Sequence, residues 1–340
     1  MRADGALLGA VILLLVVGNT ILFSVDQRLF PLQFLYIGVA IVVFFLVTRV
    51  DALVLHAFAP FGYGVVLLFL AVTLVIGVIS HGAIRWLPIG PVTVQPSEFA
   101  KPAIALMTAW FLSGNIKNRI LASLLVSFLA SLLVFIQPDF GTAVILGVSW
   151  LGAIFAWGVS FKTVFRFLIF FILLIPLSWF ILAPYQRERL TSFLNPASDP
   201  AGAAYQGRQA MIAAGSGGLF GRGLGQGSQT QLAFLPARST DFAFASVGEE
   251  LGFVGMALVL VGFFVLFLRI VGALGEAREP FVKAALGGIF LFLFVQTVVN
   301  IAMNLGMLPI AGVPLPLISA GGSALVSTML SLGIVVALRK

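Results

Sequence analysis

Apolar runs of about 20 residues, separated by short polar segments, dominate the pattern of this 340-residue chain. Such a run suits a helix that crosses the roughly 30 Å hydrocarbon core of a bilayer. Ten spans are predicted, at residues 6–24, 31–49, 62–80, 97–114, 119–136, 140–157, 163–183, 247–271, 281–305 and 318–338. The predicted fold is an all-α integral membrane protein of about ten transmembrane helices, with one long loop at about 184–246. We expect a single membrane domain over 1–340.

Composition supports a membrane protein and excludes several function classes. Hydrophobic residues make up 61% of the chain and charged residues 9%, against roughly 25% charged in soluble domains. The net charge of +7 is not concentrated in a basic patch, so we expect no nucleic-acid partner. The chain has no cysteine, which excludes disulfides and thiolate chemistry. Two histidines are too few for a His-rich metal site.

The distribution of Lys and Arg predicts the orientation in the membrane. With the N-terminus in the cytoplasm, the inner side holds eleven of the 19 basic residues and the outer side seven, five of them in the long loop. Long loops count little in the positive-inside rule, and the bias in the short loops is strong. Both termini are therefore predicted to be cytoplasmic, and the long loop between spans 7 and 8 extracytoplasmic.

Charged residues close to apolar segments are the first candidates for chemistry, because burying a charge in a membrane is costly. Glu98 and Lys101 stand three residues apart on one face of the fourth span. They could form a self-neutralising ion pair, contact a ligand, or do both. Asp139 precedes the sixth span, where capping of the helix N-terminus is favoured over a ligand role.

Two polar groups lie in the spans after the long loop. Glu249 and Glu250 open the eighth span, and we expect them to stabilise the positive end of that helix. Gln296, Asn300 and Asn304 recur every four residues and form a polar stripe on the ninth span. Interhelical hydrogen bonding is the favoured interpretation of the stripe, and the lining of a wet groove is the alternative.

The long loop is rich in glycine and carries arginines. Nine glycines lie within residues 202–227, which is typical of a flexible connection or of a main chain that binds an anion. Arg208, Arg222 and Arg238 could bind phosphate oxygens there. Asp241 follows, where the loop returns to apolar surroundings. It could cap a helix or act as a general base.

Short motifs in a fixed order along nearly the whole chain resemble the SEDS family (shape, elongation, division and sporulation) of bacterial cell-wall glycosyltransferases. The motifs are GAIRWL at 82–87, QPSEFAK at 95–101, QPDFGT at 137–142, GSGGLFG at 215–221, FLP at 234–236, TDF at 240–242, GEELGF at 248–253, NLGMLP at 304–309 and ISAGGS at 318–323. GQGSQTQL at 225–232 and GVPLP at 312–316 are more similar to the RodA-like elongation branch than to the FtsW-like division branch. The chain has Ser239 and Ala320 where the family usually has His and Tyr.

The resemblance implies a peptidoglycan polymerase that uses lipid II, a disaccharide-peptide on undecaprenyl pyrophosphate, at the outer face of the bacterial cytoplasmic membrane. It implies cell elongation and shape as the setting, and a class B penicillin-binding protein as partner, next to membrane lipids. No cofactor is certain, although a divalent cation, Mg²⁺ or Mn²⁺, could share in stabilising negative charge. The rival functions are a lipid II flippase and a non-catalytic scaffold of the wall-synthesis complex.

The resemblance also implies roles for individual residues. Asp241 matches the family's essential aspartate and is the predicted catalytic base. The candidates for substrate binding are Arg85, Glu98, Lys101, Asp139, Arg208, Arg222, Arg238, Asn300, Ser319 and Gly321. The arginines and Lys101 would stabilise the charge that develops on the leaving pyrophosphate, and Glu98 with Lys101 would order the cavity under the loop.

Overall fold

The computed structural model describes residues 4–80, 83–90, 92–180, 182–196 and 202–339. His81, Gly82 of the first motif, and the terminal basic residues Arg2 and Lys340 lie outside these ranges. The helices are α1 Gly5–Val25, α2 Phe30–Val47, α3 Ala52–Ile76, α4 Pro96–Ser113, α5 Arg119–Ile136, α6 Phe140–Trp157, α7 Phe161–Ser178, α8 Pro184–Leu194, α9 Ala203–Ser216, α10 Ser228–Gln231, α11 Ala243–Glu276, α12 Pro280–Asn304 and α13 Gly322–Leu338. The prediction of an all-α membrane fold is confirmed.

Each predicted span coincides with one of these helices, and the largest difference is at the third. Its helix begins ten residues earlier than predicted, at Ala52, directly after Asp51. It ends at Ile76, because Gly77 adopts an extended conformation with ψ 151°. Among the described residues, seven helices are long and apolar enough to cross a bilayer by themselves. The three other predicted spans are α4 and α7, which carry charged residues, and α13, which has 17 residues.

A small antiparallel sheet between α3 and α4 was not predicted from the sequence. It consists of β1 Val78–Ser80, β2 Ala83–Ile89 and β3 Val92–Val94, in the order β1-β2-β3. Leu87 pairs with Val94 in the second ladder. The sheet replaces the last turn of the predicted third span and holds Arg85 in its middle strand.

The chain forms two compact units that each draw on several separate segments. Unit 1 comprises Met1–Val39, Pro184–Arg269 and Gln296–Leu325, and unit 2 comprises Ala40–Ala183, Ile270–Val295 and Val326–Lys340. Asp241 and the long loop belong to unit 1, whereas Glu98 and Lys101 belong to unit 2. The single domain expected from the sequence stays a prediction.

The core of unit 2 is built where α3, α4, α5 and α6 pack together. Tyr63, Leu70, Ile104, Val134 and Leu146 are buried in one cluster there. The core beside the long loop, in unit 1, uses smaller side chains from α9 and bulky ones from neighbouring segments. Its buried members include Ala210, Ala213, Leu235, Phe242 and Met303.

Helices α6 and α12 approach closely where two glycines face each other. A Cβ on Gly152 would collide with the main-chain oxygen of Gly287 and would lie 2.6 Å from the Cβ of Leu291. Small residues of this kind let helix backbones meet in membranes, where close packing is a main source of association energy.

Substitution of Gly152 by alanine should destabilise the protein, because the new methyl group has no space. Overpacking of this kind costs about 1–3 kcal/mol. We expect a lower melting temperature for Gly152→Ala in detergent. Gly147→Ala is the matched control, since it lies on the same helix and its Cβ would meet nothing within 4 Å. Equal melting temperatures for the two variants would contradict the packing seen here.

Candidate active site

The main chain at Asp241 is held by side-chain amides of α12. The carbonyl of Asp241 accepts hydrogen bonds from Nδ2 of Asn300 at 3.1 Å and from Nδ2 of Asn304 at 3.0 Å. Asn300 also donates to the carbonyl of Val313 at 2.8 Å, and Asn304 accepts from the amide of Ala245 at 2.9 Å. The polar stripe thus makes hydrogen bonds as predicted, but of these bonds only the one with Ala245 joins it to another helix, and the others go to the turn at Asp241 and the segment at Val313. A direct contact of Asn300 with substrate stays a prediction.

The segment before α13 holds the same turn from another side. Oγ of Ser319 donates to the carbonyl of Thr240 at 2.6 Å and accepts from the amide of Leu315 at 2.8 Å. The amide of Ala320 donates to the carbonyl of Ser239 at 2.8 Å. Ser239 and Ala320, the two departures from the usual family pattern, thus meet through their main chains. The turn is fixed by bonds to its backbone, and the half-buried side chain of Asp241 is not needed for them.

Arg189, which the sequence did not single out, lies near the carboxylate of Asp241. A Cβ placed on Gly312 would be 3.3 Å from Nη1 of Arg189 and 3.9 Å from Oδ2 of Asp241. Both charged groups therefore border the space that glycine leaves at position 312. Arg189 also donates to the carbonyl of Ile310 at 3.3 Å. The sequence offers no signal for this arrangement, because α8 is remote from Asp241 along the chain.

A cavity of about 110 Å³ opens beside Arg189 within unit 1. Arg208, a predicted substrate-binding residue, lines it together with Arg189. Its apolar wall includes Met211, Met303 and Leu308. The cavity thus combines two guanidinium groups with an apolar surface.

The glycine-rich loop is packed against Glu249 and Glu250, both of which are completely buried. The carboxylate of Glu249 accepts from the amides of Gln229 at 2.8 Å and Thr230 at 2.9 Å. That of Glu250 accepts from Nε2 of Gln231 at 3.0 Å. The anion that the loop amides bind is therefore the chain's own. Both residues lie in the second turn of α11, which begins at Ala243, and just before Gly252, where the helix is interrupted. Their expected role at the positive end of a helix stays a prediction.

Several glycines of this loop are required by close contact with α11. A Cβ on Gly217 would collide with the carbonyl of Gly248, and one on Gly221 with that of Glu250. Gly252 has φ 67° and ψ −162°, which breaks α11. The broken turn is bridged by the loop, since the amide of Phe253 donates to the carbonyl of Gly218 at 2.9 Å. The glycine-rich loop is therefore held against α11 rather than being the flexible connection that was one expectation from the sequence.

The other two arginines of the loop make contacts that stabilise its conformation. Nη1 of Arg222 donates to Oγ of Ser228 at 3.0 Å, and Nε of Arg238 donates to the carbonyl of Val25 at 3.1 Å. Gly321 precedes α13, and a Cβ there would make an ordinary 3.7 Å contact with Ala324. Substrate binding by Arg222, Arg238, Ser319 and Gly321 stays a prediction.

In unit 2, Glu98 and Lys101 form a buried ion pair. Nζ of Lys101 donates to both carboxylate oxygens of Glu98, at 2.8 and 2.7 Å. The two residues are only 2% and 1% exposed. Oγ of Ser327 donates to the carbonyl of Glu98 at 2.7 Å and ties α13 to α4. The ion-pair interpretation is confirmed, and a ligand contact stays a prediction.

A second polar cluster of unit 2 surrounds Asp139. Its carboxylate accepts from the amide of Thr142 at 3.3 Å, which confirms the predicted N-cap. Nη1 of Arg85 lies 3.6 Å from Oδ1 of Asp139, and Nε2 of Gln95 donates to Oδ2 at 3.2 Å. The cluster thus joins β2 to the starts of α4 and α6. Ligand contacts of Arg85 and Asp139 stay predictions.

Comparison with known proteins places this architecture in a family. The family model described as "cell cycle protein", of the FtsW, RodA and SpoVE type, matches residues 5–340. The peptidoglycan glycosyltransferase MrdB of Escherichia coli K12 is 41% identical over 308 residues, which cover 89% of this chain and 83% of MrdB. Stage V sporulation protein E of Bacillus subtilis is 34% identical over 314 residues, covering 89% and 84%.

Solved structures agree with these relatives. A chain of a peptidoglycan synthase complex that coordinates polymerization and crosslinking matches with a TM-score of 0.84 and 30% identity, covering 100% of this chain and 98% of that chain. The rod shape determining protein RodA of Thermus thermophilus matches with a TM-score of 0.76 and 28% identity, covering 100% and 97%. The chain therefore belongs to the FtsW, RodA and SpoVE family of cell cycle proteins.

Proposed function

We propose that this protein is a peptidoglycan glycosyltransferase that polymerises lipid II, and that it serves cell elongation and shape. Its 41% sequence identity to MrdB, a peptidoglycan glycosyltransferase, supports the activity. The observation that carries the assignment to a site is the half-buried Asp241, held by its main chain beside a cavity-lining arginine.

The reaction needs a general base and groups that stabilise the negative charge of the leaving diphosphate. A sugar hydroxyl of the acceptor attacks the anomeric carbon of the donor and gives its proton to Asp241. The bond between that carbon and the phosphate oxygen breaks, and its electron pair leaves with the polyprenyl diphosphate. Because the diphosphate is a stable anion, cations rather than a strong general acid are required. With Asp241 as the base and no carboxylate nucleophile, the donor carbon inverts.

Metal participation is the least constrained part of the proposal. Across the described ranges of the chain, no three His, Asp or Glu side chains come together. These residues do not fit a metal centre held by protein ligands alone. A divalent cation, Mg²⁺ or Mn²⁺, would therefore have to arrive with the diphosphate of the substrate, and no step is assigned to it.

The proposed setting is the cytoplasmic membrane of a bacterium, with both termini inside and Asp241 at the outer face. An ion pair between Asp4 and Arg269, 2.7 Å apart, joins the start of α1 to the far end of α11, so these two ends lie on one side of the membrane, as the proposed orientation requires. Asp241 precedes the opposite end of α11. A polyprenyl tail stays in the bilayer, so a site at that end can receive the head group of the lipid.

The proposed partner is a class B penicillin-binding protein, which would crosslink the new glycan strands. Support comes from the structural match to a chain of a synthase complex that couples polymerization and crosslinking.

Replacement of Asp241 by asparagine should abolish polymerisation of lipid II, because the amide cannot accept the proton of the attacking hydroxyl. Loss of a general base typically costs about 10²–10⁴-fold in rate. The measurement is glycan-chain formation by purified protein with its partner, on gels that resolve chain length.

The fold of this variant should be unchanged, since Asn300, Asn304 and Ser319 hold the turn through its main-chain carbonyls. An unaltered melting temperature is the control. Wild-type polymerisation by a folded Asp241→Asn protein would refute the catalytic role of Asp241.

Removal of one member of the Glu98–Lys101 pair should impair both stability and polymerisation. An uncompensated buried charge typically costs about 3–5 kcal/mol. We expect Lys101→Met and Glu98→Gln each to lower the melting temperature, and the double variant to recover part of it. If the double variant regains stability and also wild-type turnover, the pair is a tether only. If stability returns without turnover, one of the charges also acts on substrate.

A further inference from the structure

The space at Gly312 is bordered by a carboxylate and a guanidinium, which carry opposite charges. The residue has φ +65°, a conformation that favours glycine. Oδ2 of Asp241 and Nη1 of Arg189 both lie within 4 Å of the point where a Cβ would stand. A group that enters this space would meet the proposed base on one side and a guanidinium on the other.

The position of Arg189 is set by two contacts from its own unit. Nη1 donates to the carbonyl of Ile310 at 3.3 Å. The guanidinium carbon lies 5.7 Å from the ring centre of Tyr185, in a cation–π arrangement. A guanidinium has five N–H donors in a planar fork, which suits the oxygens of a phosphate. Arg189 is thus held in place by a carbonyl and an aromatic ring, and neither of these two contacts comes from an acid.

The lining of the cavity next to Arg189 suits an amphiphilic ligand. Arg189 and Arg208 contribute charge, while Met211, Met303 and Leu308 contribute an apolar wall. Two arginines suit a group with two linked anionic centres better than a single phosphate. The apolar wall suits the first isoprene units that follow such a group.

We propose that Arg189 binds the diphosphate of a polyprenyl lipid, with Arg208 beside it, and holds the lipid so that its head reaches Asp241 across the gap at Gly312. This inference rests on the proposed function and adds the site of the leaving group to it. The same chemistry belongs to the sugar-bearing lipid before transfer and to the polyprenyl diphosphate released afterwards. Arg189 therefore acts at the place where negative charge develops as the glycosidic bond to phosphate breaks.

The test is binding of undecaprenyl diphosphate and undecaprenyl monophosphate to the purified full-length protein in detergent. We expect Arg189→Gln to weaken diphosphate binding about tenfold or more, as the loss of a charge-assisted hydrogen bond predicts. Arg189→Lys should lose less, because it keeps the charge and lacks the fork. Arg28→Gln is the charge-matched control, since Arg28 is exposed and lies outside the cavity lining.

Two results would overturn the proposal. One is wild-type affinity for the diphosphate in folded Arg189→Gln and Arg189→Lys. The other is an equal loss of affinity for the monophosphate, which would mean that the site recognises a single phosphate. A second arm measures binding of lipid II in an Asp241→Asn background, where no transfer is expected. Loss of affinity in both arms supports a site for the lipid before and after transfer, and loss for undecaprenyl diphosphate alone supports a site for the released lipid.

A substitution at Gly312 tests the gap independently of the charge. Gly312→Ala places a methyl group against Arg189 and should weaken diphosphate binding several-fold. Gly218→Ala controls for backbone strain, because Gly218 has a similar φ of +58° and its Cβ would meet nothing within 4 Å. Equal affinities of these two variants for undecaprenyl diphosphate would refute a role of the space at Gly312 in binding.

These outcomes separate this inference from the proposed function. If Asp241→Asn abolishes polymerisation and Arg189→Gln leaves lipid binding unchanged, only the diphosphate site fails. If the wild-type protein with its partner forms no glycan chains from lipid II, the proposed function fails, and the binding measurements still decide whether a polyprenyl diphosphate occupies the cavity.

Discussion

The hydrogen bonds from Asn300 and Asn304 to the carbonyl of Asp241 are the constraint on which the rest of unit 1 depends. Near apolar surroundings, irregular main chain survives only when its polar groups are paired within the protein. Here the amides of one helix satisfy the turn before α11, and the same helix pairs with the segment at Val313. These bonds go to a main-chain carbonyl, so they hold the turn without involving the carboxylate of Asp241.

A second constraint is the complete burial of Glu249 and Glu250. Main-chain amides and polar side chains of the glycine-rich loop supply the compensation instead. Desolvating a carboxylate is costly unless it is well hydrogen-bonded, so the loop and the two acids stabilise each other. Arg222 and Arg238 also stabilise the conformation of this loop. Their contacts thus differ from those of Arg189 and Arg208, which line the cavity.

The helices could be predicted from the sequence because membrane spans are encoded by local hydrophobicity. The sheet at 78–94 could not, since its outer strands have only three residues each and continue an apolar run. Asp241 was found through the family motif. Arg189 was missed because its place beside Asp241 results from the path of the chain around Gly312. The hydrogen-bond donors to Glu249 and Glu250 were missed for the same reason, as they come from a preceding segment of the chain.

The two acids with the strongest claim to chemistry differ in what surrounds them, and this difference assigns their roles. Both oxygens of Glu98 are held by Lys101 in a fully buried pair. A base must accept a proton from an entering hydroxyl, and Glu98 would have to surrender its ion pair to do so. Asp241 is half-buried and borders the space at Gly312, where an entering hydroxyl could meet it. This difference in exposure favours Asp241 over Glu98 as the proposed base, whereas Glu98 neutralises Lys101 on its own helix.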